Sequence, residues 1–213
     1  MSGPIGHPVV ARMYDPVIRV ADRLFLERYR RALVADLPDR VLEIGAGTGA
    51  MLPYLEAASR DGRPSRTVAV EPDPFMRRRL IRRANRSRIP IDVVAGRGES
   101  LPIADDRIDL VLGVMLFCTV EHPEDVLSEI ERVLRPGGEL RILEHVAAEG
   151  LQGMIQRAVE PGWRRLAGGC HPTRETGRML SSRPPLEPLE VHRLRVGVPP
   201  IRPFLYGRYR MTG

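Results

Sequence analysis

Apolar positions along this chain fall into short continuous runs, and the stretches between them carry helical spacing. Val41, Leu42 and Ile44 form the first run and end in glycines at 45, 47 and 49, a pattern that predicts a buried parallel strand breaking into a tight turn before a helix. Met51, Leu52, Leu55 and Ala58 give that helix its inward stripe, with Pro53 in its opening turn. Further strands are expected over 67–70, 91–95 and 108–116, the last apolar enough for the centre of a sheet covered on both faces. Between them, Met76, Leu80, Ile81 and Ala84 predict a helix over 75–88, and Val126, Ile130, Val133 and Leu134 one over 124–134. Pro123, Glu124 and Asp125 suit the positive end of that helix, which makes His122 a helix-start residue. Arg135-Pro136-Gly137-Gly138 then stops it before a fifth strand over 139–143.

This order implies an α/β fold with helices on both faces of the sheet. Ahead of it, residues 9–38 carry helical spacing at Val17, Val20, Ala21, Leu24 and Phe25 and again at Tyr29, Ala32, Leu33 and Leu37. Behind it, residues 151–182 read as a helical insertion on the acceptor side, in which Thr173 can cap a short helix. Residues 189–210 supply a closing pair of strands, so residues 1–213 are expected to form one domain.

Composition narrows the picture. A 43% apolar fraction suffices for a packed core, and no run approaches the ~18 apolar residues of a membrane span. The opening MSGPIGHPVVARMYD lacks a basic region followed by an apolar core, so the expectation is a cytoplasmic protein without a secretory signal. A formal charge of +6 favours anionic partners, but all 33 basic residues are Arg, which points to coding bias. The arginine face of residues 75–88 is expected to be solvated, with peripheral contact to an anionic membrane as the alternative. Nucleic acid is not expected, since interleaved aromatics are missing. Cys118 and Cys170 are too few for a disulfide framework or a four-ligand zinc site, so no metal is expected.

The chemistry centres on the glycines. Gly45, Gly47 and Ala50 fit a dinucleotide pattern, whereas Glu43 and Gly49 extend it to E-x-G-x-G-x-G. A carboxylate at Glu43 opposes a pyrophosphate but accepts hydrogen bonds from an ammonium group, which favours a cationic cofactor bearing an amino acid. Glu71, at the end of the second strand, stands where its carboxylate can accept from both hydroxyls of a ribose.

The segment VLEIGAGTG resembles motif I of the class I S-adenosylmethionine-dependent methyltransferases, and with the Glu71 region and the L-R-P-G-G unit the likeness covers residues 40–145. The resemblance implies a Rossmann-like seven-stranded mixed sheet with its last strand antiparallel, S-adenosyl-L-methionine as cofactor and S-adenosyl-L-homocysteine as product. It places Glu43, Gly45, Ala46, Gly47 and Gly49 along the amino-acid part of the cofactor and Gly113 and Val114 beneath its methionine portion. Pro72 would border the adenine. Many relatives have Asp-Ala where this chain has Arg97 and Gly98, so adenine recognition is expected from the Gly98 amide, with Glu99 as an acceptor. Tyr14, followed by Asp15, occupies the place of a lid residue.

The segments EHVAAEG (144–150), EPGWRRLAGGCHPTRE (160–175) and IRPFLYGRY (201–209) resemble a subgroup that includes alkyl thiol S-methyltransferases. Its mammalian members carry an N-terminal hydrophobic anchor that this sequence lacks, so their membrane location is not carried over. The resemblance implies a small hydrophobic acceptor, foremost a thiol. Alternatives are a phospholipid amine, a quinone-like ring, or cofactor binding without catalysis. His145, just past strand five, is the candidate base, ahead of His171; Met115 and Trp163 are candidates for lining the acceptor site, together with apolar residues of the insertion that could instead dock it on the sheet. Catalysis by Cys170 is not expected, because adjacent residues such as Cys170 and His171 rarely converge on one point.

Overall fold

The computed structural model describes residues 22–197 and 199–213. Tyr14, Asp15 and most of the expected N-terminal helical lid lie outside the described residues. Seven strands form one sheet: β1 (Arg40–Ile44), β2 (Arg66–Val70), β3 (Ile91–Val94), β4 (Ile108–Val114), β5 (Leu134–His145), β6 (Leu186–Leu194) and β7 (Phe204–Met211). Their order is β3-β2-β1-β4-β5-β7-β6. β1 to β5 run parallel, and β7 runs antiparallel to its neighbours β5 and β6. The helices are α1 (Glu27–Leu33, after a π-helical turn at Asp22–Leu26), α2 (Leu52–Ala58), α3 (Pro74–Ala84), α4 (Pro123–Val133), α5 (Gly150–Leu166) and α6 (Thr176–Ser181).

Successive strand side chains point to opposite faces, which divides the core in two. Leu42, Ile44, Val111 and Ile142 pack with Val126, Ile130 and Val133 of α4 and Leu180 of α6. Val41, Leu110, Leu112 and Leu143 meet Leu26 and Leu33 from the N-terminal segment, Met51 just ahead of α2 and Leu55 within it. The π-helical turn widens the local repeat and shifts the inward stripe, so Leu26 is buried whereas Leu24, expected inside, is 64% exposed.

Strand five is longer than expected. Leu134 already pairs with Ile108, and the register then shifts before Glu139 pairs with Leu110. The extra residues, Arg135 to Gly138, are absorbed within the strand, with Gly137 in the left-handed region at φ 78°. The proline-glycine segment is therefore an irregularity inside β5 and not a separate turn. Pro188 is tolerated in β6 because that strand lies at the sheet edge. Thr173 does not cap a helix: α6 begins at Thr176, and the Thr173 hydroxyl donates to Glu160 Oε2. No helix among the described residues is long and apolar enough to cross a membrane.

Candidate functional site

The glycine turn sits at the carboxyl end of β1, beside β4, where the sheet order reverses and open α/β sheets bind their ligands. Gly45, Gly47 and Gly49 have φ of 70°, 59° and 85°, a region where a side chain is strained. Gly45 and Ala46 N–H both donate to the Val70 carbonyl, at 2.9 and 3.1 Å, which ties the turn to the end of β2.

Glu43 points from β1 into this corner. Its side chain is buried and its Oε2 atom has no hydrogen-bond partner. Burial pushes its carboxyl up to about 8, with Arg30 pulling it down and Glu71 pushing it further up. Arg30 of α1 is itself 1% exposed and donates to Met51 Sδ. Its charge was overlooked in the sequence, although a signal existed: Leu26, Arg30, Leu33 and Leu37 recur at helical spacing, so Arg30 occupies a position of the buried stripe.

Glu71 is held ready by backbone donors. Gly47 N–H donates to its Oε2 at 2.7 Å and Asp73 N–H to its Oε1 at 2.9 Å. Burial raises its carboxyl above the ordinary range while these two amides oppose the shift. Asp73 caps α3 by accepting from the amides of Phe75 and Met76. Two arginines of α3 turn back onto the same loops: Arg77 donates to the carbonyls of Glu71 and Pro72, and Arg83 to the carbonyl and hydroxyl of Thr48. The arginine face is thus only partly solvated.

An orphaned buried carboxylate oxygen, a turn with glycine at three of its five positions and a second, anchored carboxylate fit a ligand with an ammonium group and vicinal hydroxyls, as S-adenosyl-L-methionine has. On the neighbouring side, Gly98 packs tightly: an added Cβ would lie 3.2 Å from Ile44 and Val126. Glu99 accepts from Arg97 and from His122 N–H, and although burial raises its carboxyl, its own amide and these partners hold it below the ordinary range. Gly113 leaves room for Leu116, whose side chain would be 3.2 Å from an added Cβ. Val114 is buried, and Met115 follows it at φ 56°, a left-handed conformation unusual for a side chain of that size at the mouth of the crevice.

The carboxyl ends of β4 and β5 form the acceptor side. Glu144 accepts from the amides of Leu116, Phe117 and Cys118 and so fixes the loop after β4. His145 lies next to it, 6% exposed, packed edge-on against Phe204 with Nδ1 3.3 Å from Cys170 Sγ. Cys170 does not stand alone: three residues from distant segments, Cys118, His145 and Cys170, converge. Cys118 pulls the Cys170 thiol down towards thiolate, with His145 helping, while Cys118 itself is pushed up by its contact with Cys170 and by burial. Cys170 and His171 do face different partners, as argued: His171 Nδ1 is 2.9 Å from Glu160 Oε1. The indole N–H of Trp163 is drawn to Cys170 but reaches no acceptor at hydrogen-bonding geometry.

Within the insertion, α6 docks through Leu180, but α5 does not dock through its apolar side chains. Leu151, Met154, Ile155, Val159 and Leu166 are exposed, whereas the buried face of α5 consists of Gly153 and Gln156. A cavity of about 420 Å³ lined by Arg40, Arg66 and Arg107 lies at the opposite, amino-terminal end of the strands, away from the site described here.

A methyltransferase domain model matches residues 42–142. Thiol S-methyltransferase TMT1B of Rattus norvegicus is 32% identical over 164 residues, 71% of this chain and 65% of that protein. Thiol S-methyltransferase TMT1A of Homo sapiens is 31% identical over 174 residues, 78% of this chain and 68% of that protein. The chain thus spans about two thirds of the length of these relatives. Among solved structures, a SAM dependent methyltransferase from Aquifex aeolicus superimposes with a TM-score of 0.69 at 21% identity, covering 97% of this chain and 99% of that one. The cyclase SpnF does so with a TM-score of 0.69 at 16% identity, covering 100% and 99%. These likenesses show the fold; one scaffold hosts several chemistries.

Proposed function

Because the chain belongs to the class I S-adenosylmethionine-dependent methyltransferases, we propose that it transfers a methyl group to a small hydrophobic acceptor, foremost a thiol. The observation that carries this reading is the partnerless Oε2 of Glu43, buried beside a turn of three glycines. When bound, S-adenosyl-L-methionine supplies a methyl group already activated on a positively charged sulfur. Glu43 accepts from its ammonium group, directly or through water, and Gly45, Ala46, Gly47 and Gly49 let the backbone approach its amino-acid part. Glu71 takes the ribose hydroxyls with the lone pairs that Gly47 and Asp73 leave free. Pro72 and the Gly98 amide border the adenine, with Glu99 engaged mainly by Arg97. Gly113 and Val114 floor the methionine portion, and Met115 lines the acceptor side.

What remains for the protein is to align an acceptor with the methyl group, exclude water and manage one proton. A thiol, with a reference pKa of about 8.5, needs little help to become a nucleophile. The thiol reading is supported by the relatives' names and by the buried, sulfur-lined end of β4 and β5. The phospholipid alternative is weakened, since Arg77 and Arg83 spend donors on the cofactor loops.

The test is a panel of alkyl thiols, phosphatidylethanolamine and a hydroxylated quinone with isotope-labelled donor, read by mass spectrometry. Labelled thioether is the expected product. Turnover with phosphatidylethanolamine or the quinone alone would replace the thiol, and tight cofactor binding without turnover on any acceptor would mark a regulatory binding protein.

A further inference from the structure

Three side chains from separate segments meet beside the proposed cofactor crevice: Cys118 after β4, His145 at the end of β5 and Cys170 after α5. One atom from each, the two Sγ atoms and an imidazole nitrogen, lie within 4.8 Å of one another, and all three residues are buried. Tetrahedral zinc, with Zn–S of about 2.3 Å and Zn–N of about 2.0–2.1 Å, has S···N edges near ~3.6 Å and S···S edges near ~3.8 Å. The observed 3.3 Å between Cys170 Sγ and His145 Nδ1 is close to such an edge, so small side-chain rotations bring all three donors to three corners of one tetrahedron.

The backbone holds these corners in register. Glu144, the residue before His145, accepts the Cys118 amide at 3.3 Å and the two amides before it at 2.5 and 3.0 Å. His171, the residue after Cys170, donates its N–H to the Cys118 carbonyl at 2.7 Å. Arg174 donates to the Phe117 carbonyl, and its own carbonyl accepts from Ala147 N–H at 3.0 Å. The segment carrying each donor is thus tied to the segment carrying another. These ties satisfy buried backbone groups and at the same time fix the spacing of the three donors.

We propose that Cys118, His145 and Cys170 bind one zinc ion whose fourth position receives the sulfur of the methyl acceptor. Two thiolates and one neutral imidazole balance the double charge of the ion, as in catalytic sites with two cysteines and one histidine. An incoming thiol releases its proton to solvent on binding. A lone pair of the zinc-held sulfur then forms the new S–C bond, while the sulfonium S–C bond breaks and its electron pair stays on the S-adenosyl-L-homocysteine sulfur. The thioether product is a weaker ligand than a thiolate and departs. In this scheme His145 is a metal ligand in place of the base expected from its sequence position, and a metal stands where the sequence led to the expectation of none. The site rests on geometry alone; its role in activating the acceptor rests on the thiol reading above.

The experiment uses the full chain, reduced and stripped with chelator, then titrated with Zn²⁺ and, as an optical probe, Co²⁺. Expected are one metal per chain by native mass spectrometry and, with cobalt, tetrahedral d–d bands with thiolate-to-metal charge transfer. Hexanethiol should raise the charge-transfer intensity by roughly half as two thiolates become three. Cys118→Ser and Cys170→Ser should each lower metal affinity at least ~100-fold while S-adenosyl-L-homocysteine binding confirms that they are folded. A reduced wild-type chain that takes up neither metal, or forms only a Cys118–Cys170 disulfide, overturns the site. A cobalt spectrum unmoved by hexanethiol overturns the acceptor role. A metal-loaded chain whose spectrum responds to hexanethiol but which methylates no thiol overturns the thiol-methylation reading and upholds the site.

Discussion

A buried carboxyl with a partnerless oxygen is costly to keep, and Glu43 keeps one beside the glycine turn. Its carboxyl is pushed up to about 8 in the folded chain from an ordinary value of 4.5, so between those values the folded state holds a proton that the unfolded state has lost. Stability of the cofactor-free protein should therefore be highest below pH 4.5 as far as this group is concerned, and its contribution should fall as pH rises towards 8. Glu43→Gln should flatten that decline in thermal melts recorded from pH 5 to about 8. Binding of a cationic cofactor should expel the same proton. Calorimetry near neutrality in buffers of different ionisation enthalpy should show proton release in the wild type and much less in Glu43→Gln, with affinity lowered by about 1–3 kcal/mol. Glu71→Ala should also weaken cofactor binding by about 1–3 kcal/mol, and unchanged affinity would remove Glu71 from the site. Both carboxylates were legible because a strand end followed by glycine, or by proline and a helix cap, announces itself locally. Arg30 was legible only through its place in the stripe of Leu26, Leu33 and Leu37, a weaker signal because arginine is the residue type usually found on solvated surface.

At the scale of elements, α5 is fastened by polar contacts. Ala148 N–H donates to Gln156 Oε1 at 2.6 Å, and Gln156 Nε2 donates to the carbonyls of Pro200 and Arg202 at 2.8 and 3.0 Å. A Cβ on Gly153 would come within 2.2 Å of the Ala148 carbonyl oxygen, so the helix approaches that backbone more closely than alanine permits. Gln156→Ala should destabilise the protein by about 1–3 kcal/mol, and Gly153→Ala should lift the helix. In both variants, hydrogen exchange should accelerate over residues 150–166 while the β1–β4 amides stay protected. The sequence predicted this helix from its apolar residues, but those are the exposed ones, because periodicity locates a helix without saying which face is covered. The junction of α4 and β5 misled for a different reason: proline and glycine usually end an element, and here a register shift absorbs them. The convergence of Cys118, His145 and Cys170 is set by three connections and left no trace in local spacing.

For the molecule as a whole, the parallel half of the sheet was readable because its strands are short, mostly apolar runs broken by few charged residues, and the order around β1 follows from the family pattern that those runs matched. Since the two cores share these strands, a ligand at their carboxyl ends should stabilise the entire cooperative unit. S-adenosyl-L-homocysteine at one hundred times its dissociation constant should add about 2.7 kcal/mol, or roughly 5–10 °C in melting temperature for a domain of this size. A melt unaffected by the ligand would contradict the site. The position of β7 carries one more implication. It lies between β5 and β6, and β6 has no other neighbour in the sheet. Because β7 follows both β5 and β6 in the chain, it joins two strands already made, and a nascent chain stalled before Phe204 has no strand to hold β6 against the rest of the sheet.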